Sequence, residues 1–322
     1  MPAFGESLQC DNAPFTYNNT VVNINAPIGT LYGDHGFDIR GYGVGTITIA
    51  DGEVDATEVK YEISIKSNKE DLLGDVGFVY PDINDDGSVA RSRLIIETSR
   101  IPGVDDRTCM KFDIKVYVPS NLKKLHVASH TAVAHIQFAP GARIDIEELW
   151  ATTYAMDQRN LVVASREVTA KKLSLEVYRG WIFGDAPIVE QTSVSTQRGD
   201  GIANVKFFPT ANEKKAILRT TTGAGRSDFS FITTGEKRQI DSTHISSRNA
   251  DMYLTYREAG FVGKVEIDSK SLTMTGATPW DIRRPGSTDE SGEKSKWTHY
   301  VQDREGKDEI YVNSRGWAGL YF

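Results

Sequence analysis

Leu218-Arg219-Thr220-Thr221-Thr222-Gly223-Ala224-Gly225, running on into Phe229-Ser230-Phe231, is the stretch that decides the fold class. A strand closes on threonines, a small turn follows, and an alternating apolar strand resumes. Val194-Ser195-Thr196-Gln197-Arg198-Gly199-Asp200-Gly201 leads into Val205-Lys206-Phe207 in the same way. Ile245-Ser246-Ser247-Arg248-Asn249-Ala250-Asp251 leads into Tyr253-Leu254-Thr255-Tyr256, and Val312-Asn313-Ser314-Arg315-Gly316-Trp317-Ala318-Gly319 into Leu320-Tyr321-Phe322. A weaker copy runs from Leu175 to Phe183. Gly or Asn accepts the positive φ of each turn. One such unit cannot bury its own apolar face, so neighbours must stack into a continuous core. The copies are unevenly spaced, which fits an irregular solenoid, or a large twisted sandwich with loop insertions, better than a strict β-helix.

Outward from these repeats the signal stays β. Thr46 to Ile49, Val59 to Ile65, Phe112 to Val118 and Ile144 to Ile146 alternate apolar and polar residues, the period that puts one set of side chains in a core and the other in water. Helical spacing is confined to Lys69–Leu73 and Ile146–Leu149, where short helical turns are expected. The chain divides into an irregular lead (1–24), a β-rich N-terminal region (25–118) and the repeats (119–322). The charge-dense stretch 283–309 reads as a long mobile loop before a last strand.

Composition excludes more than it identifies. The 322 residues carry 37 basic and 44 acidic side chains, a net charge of −7, which speaks against nucleic acid as a partner. No apolar run approaches the roughly 18 residues of a membrane span, and Met1 to Asn12 lacks the pattern of a signal peptide. The chain reads as soluble, either cytoplasmic or part of a cell-surface protein. Cys10 and Cys109 could pair if the chain meets an oxidising compartment, but the plainer reading is two free thiols, one exposed and one half-buried.

The repeats also carry a resemblance. Val118-Pro119-Ser120-Asn121-Leu122, then Leu125-His126-Val127-Ala128-Ser129, then the Ser/Thr-x-x-Gly turns resemble the "putative adhesin" family of bacteria and fungi over residues 110–322. That family has a V-x-V-P-x-x-L entry strand followed by S-x-x-G-x-I-x-L turns. The ending Ser314 to Phe322 is similar to the last rung of its fungal members. The resemblance implies a right-handed β-solenoid of unknown activity, with adhesion proposed and no catalytic residues to transfer. Asn249 stands where the family has a turn glycine, and the long N-terminal region is a further departure.

Several groups of residues could carry chemistry. Asp82, Asn84 and Asp86, with Gly87 after them, match the opening of a calcium loop, but Arg93 stands where a closing Glu belongs. The alternative is a solvated hairpin tip. Histidines cluster at His126, His130 and His135. If Leu125 and Val127 face inward, His126 faces out, and His135 could lie beside it after the turn, able to hold zinc or copper, or they are simply surface or boundary residues. Arg198-Gly199-Asp200 occupies a repeated turn position and is assigned to structure. Asp145, Glu147 and Glu148, or Asp157 and Glu176, are candidate carboxylate pairs for glycosidic chemistry, or simply a solvated face. Trp150, Tyr154, Tyr178 and Trp181 fall on consecutive rungs and could stack against sugar rings, or fill the core.

No hydrolase elbow, metalloprotease helix, P-loop or dinucleotide fingerprint is present in the sequence. The expected function is a non-catalytic module that binds glycan or protein surfaces through a solenoid face, without cofactor unless calcium occupies the acidic loop. The alternatives are a carbohydrate-active β-helix enzyme and a structural protein that self-associates through open strand edges.

Overall fold

The computed structural model describes residues 3–6, 8–98, 108–197, 200–280 and 296–322. These form one mixed sheet of 24 strands. Arg198, Gly199 and residues 283–295 of the charge-dense stretch lie outside the described residues.

Most of the pairing is parallel, and it joins every second strand rather than sequence neighbours. In a first ladder Arg93–Glu97 pairs with Asp34–Arg40, then come Lys124–Ser129, Ile144–Thr153, Val168–Val177, Gln191–Thr196, Ala216–Thr222 and Ile240–Ser246. A second ladder runs from Met110–Val118 through Val44–Asp51, Val133–Phe138, Leu161–Ala164, Trp181–Ile188, Ile202–Pro209 and Ser227–Phe231 to Asp251–Thr255. The chain therefore alternates between two ladders, adding a rung to each in turn. Both ladders reach back into 25–118, through Asp34–Arg40 and Val44–Asp51, so the change of pattern at Pro119 falls within continuous pairing.

At the C-terminal end the order of rungs departs from the order of the chain. Asp308–Tyr321 belongs to both ladders, pairing with Ile240–Ser246 and with Asp251–Thr255. Gly263–Thr275, earlier in sequence, pairs along its far side. At the other end Glu58–Ser67 packs antiparallel on Met110–Val118 and on Val22–Pro27.

The alternation explains the core. Leu94, Phe37, Val127, Ala151, Leu175 and Val194 are register neighbours on successive rungs of the first ladder and are all buried. Burying such rows is the main favourable term, at about 25 cal/mol per Å² of apolar surface. The Ser or Thr that closes each repeat also points inward: Ser129, Thr196, Thr222, Ser246 and Ser314 are buried. Their hydroxyls serve the turns that follow. Ser129 Oγ donates to the Ala132 carbonyl, Ser246 Oγ donates to that of Arg248, and Thr196 Oγ1 accepts from Gly223 N–H. A buried turn must pair its polar groups, and a short hydroxyl side chain can do so without filling the corner.

Ile146–Leu149 is not a helical turn but part of the strand Ile144–Thr153. The strand bends at Glu147 and Glu148, whose N–H groups both donate to the Lys123 carbonyl. Ile146 and Leu149 thus both face inward, and the bend imitates helical spacing. Lys69–Leu73 does coincide with a helical turn, the 3-10 helix Glu70–Asp75.

Cys10 and Cys109 form a disulfide with Cα atoms 5.8 Å apart. It fastens the N-terminal segment across the second ladder, where Leu8 is buried and Arg159 donates to the Leu8 carbonyl at 3.4 Å. Among the described residues no helix is long and apolar enough to cross a membrane.

Candidate functional site

On the outward side of the first ladder, residues follow one another in register from rung to rung. His126 pairs with Trp150, their rings 6.3 Å apart and edge to face. Two positions beyond the next outward pair, His130 stacks on Tyr154 at 5.1 Å, and Tyr154 meets Tyr178 edge-on at 5.2 Å. The backbone sets this row: His130 N–H donates to Ile39 O, Tyr154 N–H to Ser129 O, and Tyr178 N–H to Thr153 O. All five rings are partly exposed. Burial is the main cause that raises the Tyr154 hydroxyl above its ordinary pKa, with the Glu176 carboxylate adding to it.

Beside this row lies a buried carboxylate. Asp38 sits between the inward-facing Phe37 and Ile39, so it points outward, yet its side chain is 1% exposed. Arg40 Nη2 and Arg93 Nη1 each lie 3.1 Å from Asp38 Oδ2, and His130 Nε2 lies 3.5 Å from the same atom. Ala128, in register with Asp38, and Gly36, in register with Arg93, leave room for this cover, and a Cβ on Gly36 would come within 3.0 Å of Arg93 Nε. Burial alone would raise the Asp38 carboxyl; the His130 imidazole and the two guanidinium groups outweigh it and hold the carboxyl below its usual range. His126 is lowered, first by burial and then by Arg93 and His130.

Two clefts open at the corner that joins the ladders and share Tyr42 and Thr131 in their walls. One, of about 660 Å³, adjoins the aromatic row and is lined by Arg40, Asp75, Glu97 and His130. The other, of about 600 Å³, is lined by Leu8, Met110, Val133, Met156 and Arg159. The row, the buried ion cluster and the clefts together make a surface with flat apolar faces bordered by fixed charges.

The structure brings three of the four candidate aromatics to this face. Trp181 stands on the second ladder between Leu161 and Ile202. His126 and His135 also fall on different ladders. His135 is fully buried and both its nitrogens are engaged: Gly5 N–H donates to Nδ1 at 3.0 Å, and Nε2 donates to the Arg159 carbonyl at 2.8 Å. The acidic tip closes on itself. Ser88 N–H and Oγ donate to Asp86 Oδ1, Asn84 Nδ2 donates to Ser88 Oγ, and Gly87 takes a φ of 78°. Asp82 lies exposed beside it. Among the described residues no group of three or more His, Cys, Asp or Glu side chains is arranged to hold a metal ion.

The candidate carboxylates have partners of their own. Glu147 pairs with Lys171, Glu148 with Lys124 and Lys172, and Asp157 with Arg159, while Glu176 accepts from Gln197. Asp200, the acid of the Arg-Gly-Asp triplet, is gripped in a two-pronged contact by Arg179 at 2.7 and 2.9 Å, which pulls its carboxyl down to about 2. Asp38, Arg40 and Arg93 are the members of the site that sequence reading missed, and His130 was noticed only as a member of the histidine cluster with His126 and His135. The one local signal was a charged residue flanked by Phe37 and Ile39.

No family model matches the chain, and no curated protein is similar to it. Solved structures do align with it along most of its length. A "putative adhesin" from Bacteroides fragilis NCTC 9343 is 9% identical, covering 94% of this chain and 97% of that chain, with a TM-score of 0.42. A "putative adhesin" from Parabacteroides distasonis ATCC 8503 is 13% identical, covering 94% and 98%, with a TM-score of 0.41. A "putative cell adhesion protein" from Clostridium sporogenes ATCC 15579 is 10% identical, covering 94% and 99%, with a TM-score of 0.28.

Proposed function

We propose that this chain is a non-catalytic binding module, a right-handed β-solenoid that recognises glycan or protein surfaces through the outward face of its first ladder. The observation that carries the reading is the in-register row His130, Tyr154 and Tyr178 beside the buried Asp38 cluster. Ring faces pack on sugar C–H groups or on apolar side chains, while bordering charges fix orientation. Rungs that alternate between two parallel ladders support the solenoid, and parallel crossovers are almost always right-handed. The Cys10–Cys109 bond supports an oxidising compartment, hence a secreted or surface location.

A glycan array probed with the intact chain, with and without chelator, tests the reading. Specific retention that falls at least tenfold in the Tyr154→Ala, Tyr178→Ala double variant is the expected result. If the double variant retains every ligand of the parent chain, this face is not the site. Catalysis would appear as release of a shortened glycan from the array, and that outcome would replace binding with turnover.

A further inference from the structure

We propose that the outward face of the second ladder carries, at its C-terminal end, a separate platform for neutral polysaccharide, built around Gly319. Gly319 lies in register between Tyr253 and Thr273, on the strand Asp308–Tyr321. A Cβ there would run into the Trp317 ring and come within 2.9 Å of the Tyr321 hydroxyl. The two side chains, one on either side of Gly319 along the strand, therefore both lean over it. Side chains on a strand ordinarily stand away from the sheet; here the missing side chain lets two aromatic groups lie along it.

The arrangement is held from several sides. Trp317 Nε1 donates to Thr273 Oγ1 at 3.2 Å. The Tyr253 and Trp317 rings are 4.7 Å apart, and the Arg226 guanidinium sits 4.2 Å over Tyr253. Asp228 fixes that guanidinium with contacts of 2.7 and 3.0 Å. Tyr253, Trp317 and Tyr321 are all partly exposed.

These groups suit a pyranose chain. Aromatic faces laid along the sheet take the C–H face of a sugar ring, and the bordering Thr273, Arg226 and Asp228 offer donors and acceptors to its hydroxyls. Asp228 and Asp251 are balanced by Arg226 and Arg257, the latter 5.6 Å over Tyr321. Balanced charge favours a neutral chain over an acidic one. The platform crosses three strands, about 10 Å at the usual spacing, so it addresses a polymer rather than a single sugar.

The test is retention of the full chain on insoluble cellulose, chitin and β-1,3-glucan, with tryptophan fluorescence titrated by cellohexaose and chitohexaose. Binding to at least one of these, lost tenfold or more in Trp317→Ala and in Gly319→Ala, is the expected result. Both losses are read against the Tyr154→Ala, Tyr178→Ala background, which removes the first-ladder face and so separates this platform from it. Gly319→Ala adds only a methyl group, so circular dichroism can confirm that the variant is folded. No retention across the panel would overturn the proposal, and so would equal binding by folded Trp317→Ala. Size growth with concentration that Trp317→Ala abolishes would also overturn it, by assigning the platform to contact between copies.

Discussion

Arg93 Nη1 lies 3.1 Å from Asp38 Oδ2 across 55 residues of chain. That contact, with Arg40 and His130 on the same oxygen, lets a carboxylate remain buried on the outward side of the sheet. Asp38→Ala should lower stability by about 1–2 kcal/mol, the cost of charge-assisted hydrogen bonds whose arginine partners are half-exposed and can turn to water. Urea unfolding would register this as a lower midpoint at unchanged slope. A variant as stable as the parent would show that the cluster contributes nothing to the fold.

Acid should destabilise the protein through two buried histidines. His35 donates from Nδ1 to Ser92, whose only proton goes to the Pro27 carbonyl, and accepts from the Tyr61 hydroxyl at Nε2. His244 lies between the hydroxyl groups of Thr220 and Tyr256, at 2.8 and 2.7 Å. Burial is the main cause that lowers both rings to about 3, from 6.5. The unfolded chain takes up these protons first as pH falls, so their contribution is complete above about 6.5 and is lost progressively towards 3. At pH 5.5 each ring costs on the order of 1 kcal/mol. Unfolding midpoints at pH 7.5, 6.5 and 5.5 should fall in that order, and less steeply in His244→Gln.

Reduction should act strongly because the disulfide spans 99 residues. Closing a loop of that size removes unfolded-chain entropy worth about 4–5 kcal/mol in the simplest model, with strain and residual structure reducing the measured value. The Cys10→Ser, Cys109→Ser variant should melt several degrees below the parent. Identical melting curves with and without reductant would show that the bond is dispensable.

Asn160 is the corner residue whose loss should cost most. Its Oδ1 accepts from Ala134 N–H, and its Nδ2 contacts the carbonyls of Ala155, Asp157 and Arg179, all within the buried corner. Asn160→Ala should destabilise by about 2–4 kcal/mol, since several buried backbone groups lose their partner at once. Calorimetry would detect the shift directly.

Calcium should make no difference to binding. Asp86, held below its usual range chiefly by the Ser88 hydroxyl and N–H, already spends its carboxylate within the tip. Isothermal titration with calcium should give no heat beyond dilution. A saturable heat that Asp82→Ala abolishes would restore the loop as a metal site.

What the sequence disclosed depended on range. Alternation is a local property, so the strands around Ile47, Ile63 and Ile114 were legible, and the closing Ser or Thr marked each turn. The bend at Glu147 and Glu148 was misleading because two consecutive outward residues produce a helix-like interval. The row Tyr154–Tyr178 needed only the rung repeat, whereas the pairing of His126 with Trp150 needed the register of the first ladder. Asp38 with Arg93 needed the register of strands separated by a long connection, and no local pattern encodes that. For the same reason Trp181 and His135 were grouped with residues of the other ladder.

The placement of Asp308–Tyr321 between Ile240–Ser246 and Gly263–Thr275 has a consequence for biosynthesis. A ribosome delivers Gly263–Thr275 well before the strand that must lie beneath it. The rungs from Lys124–Ser129 to Asp251–Thr255 can assemble as they emerge, each templated by the one before in its ladder. Gly263–Thr275 must then wait, with its apolar face uncovered, until residues up to 321 have been made. Synthesis halted between 276 and 307 would leave a chain that is ordered along most of its length and adhesive at one end, the species that cellular quality control would meet first.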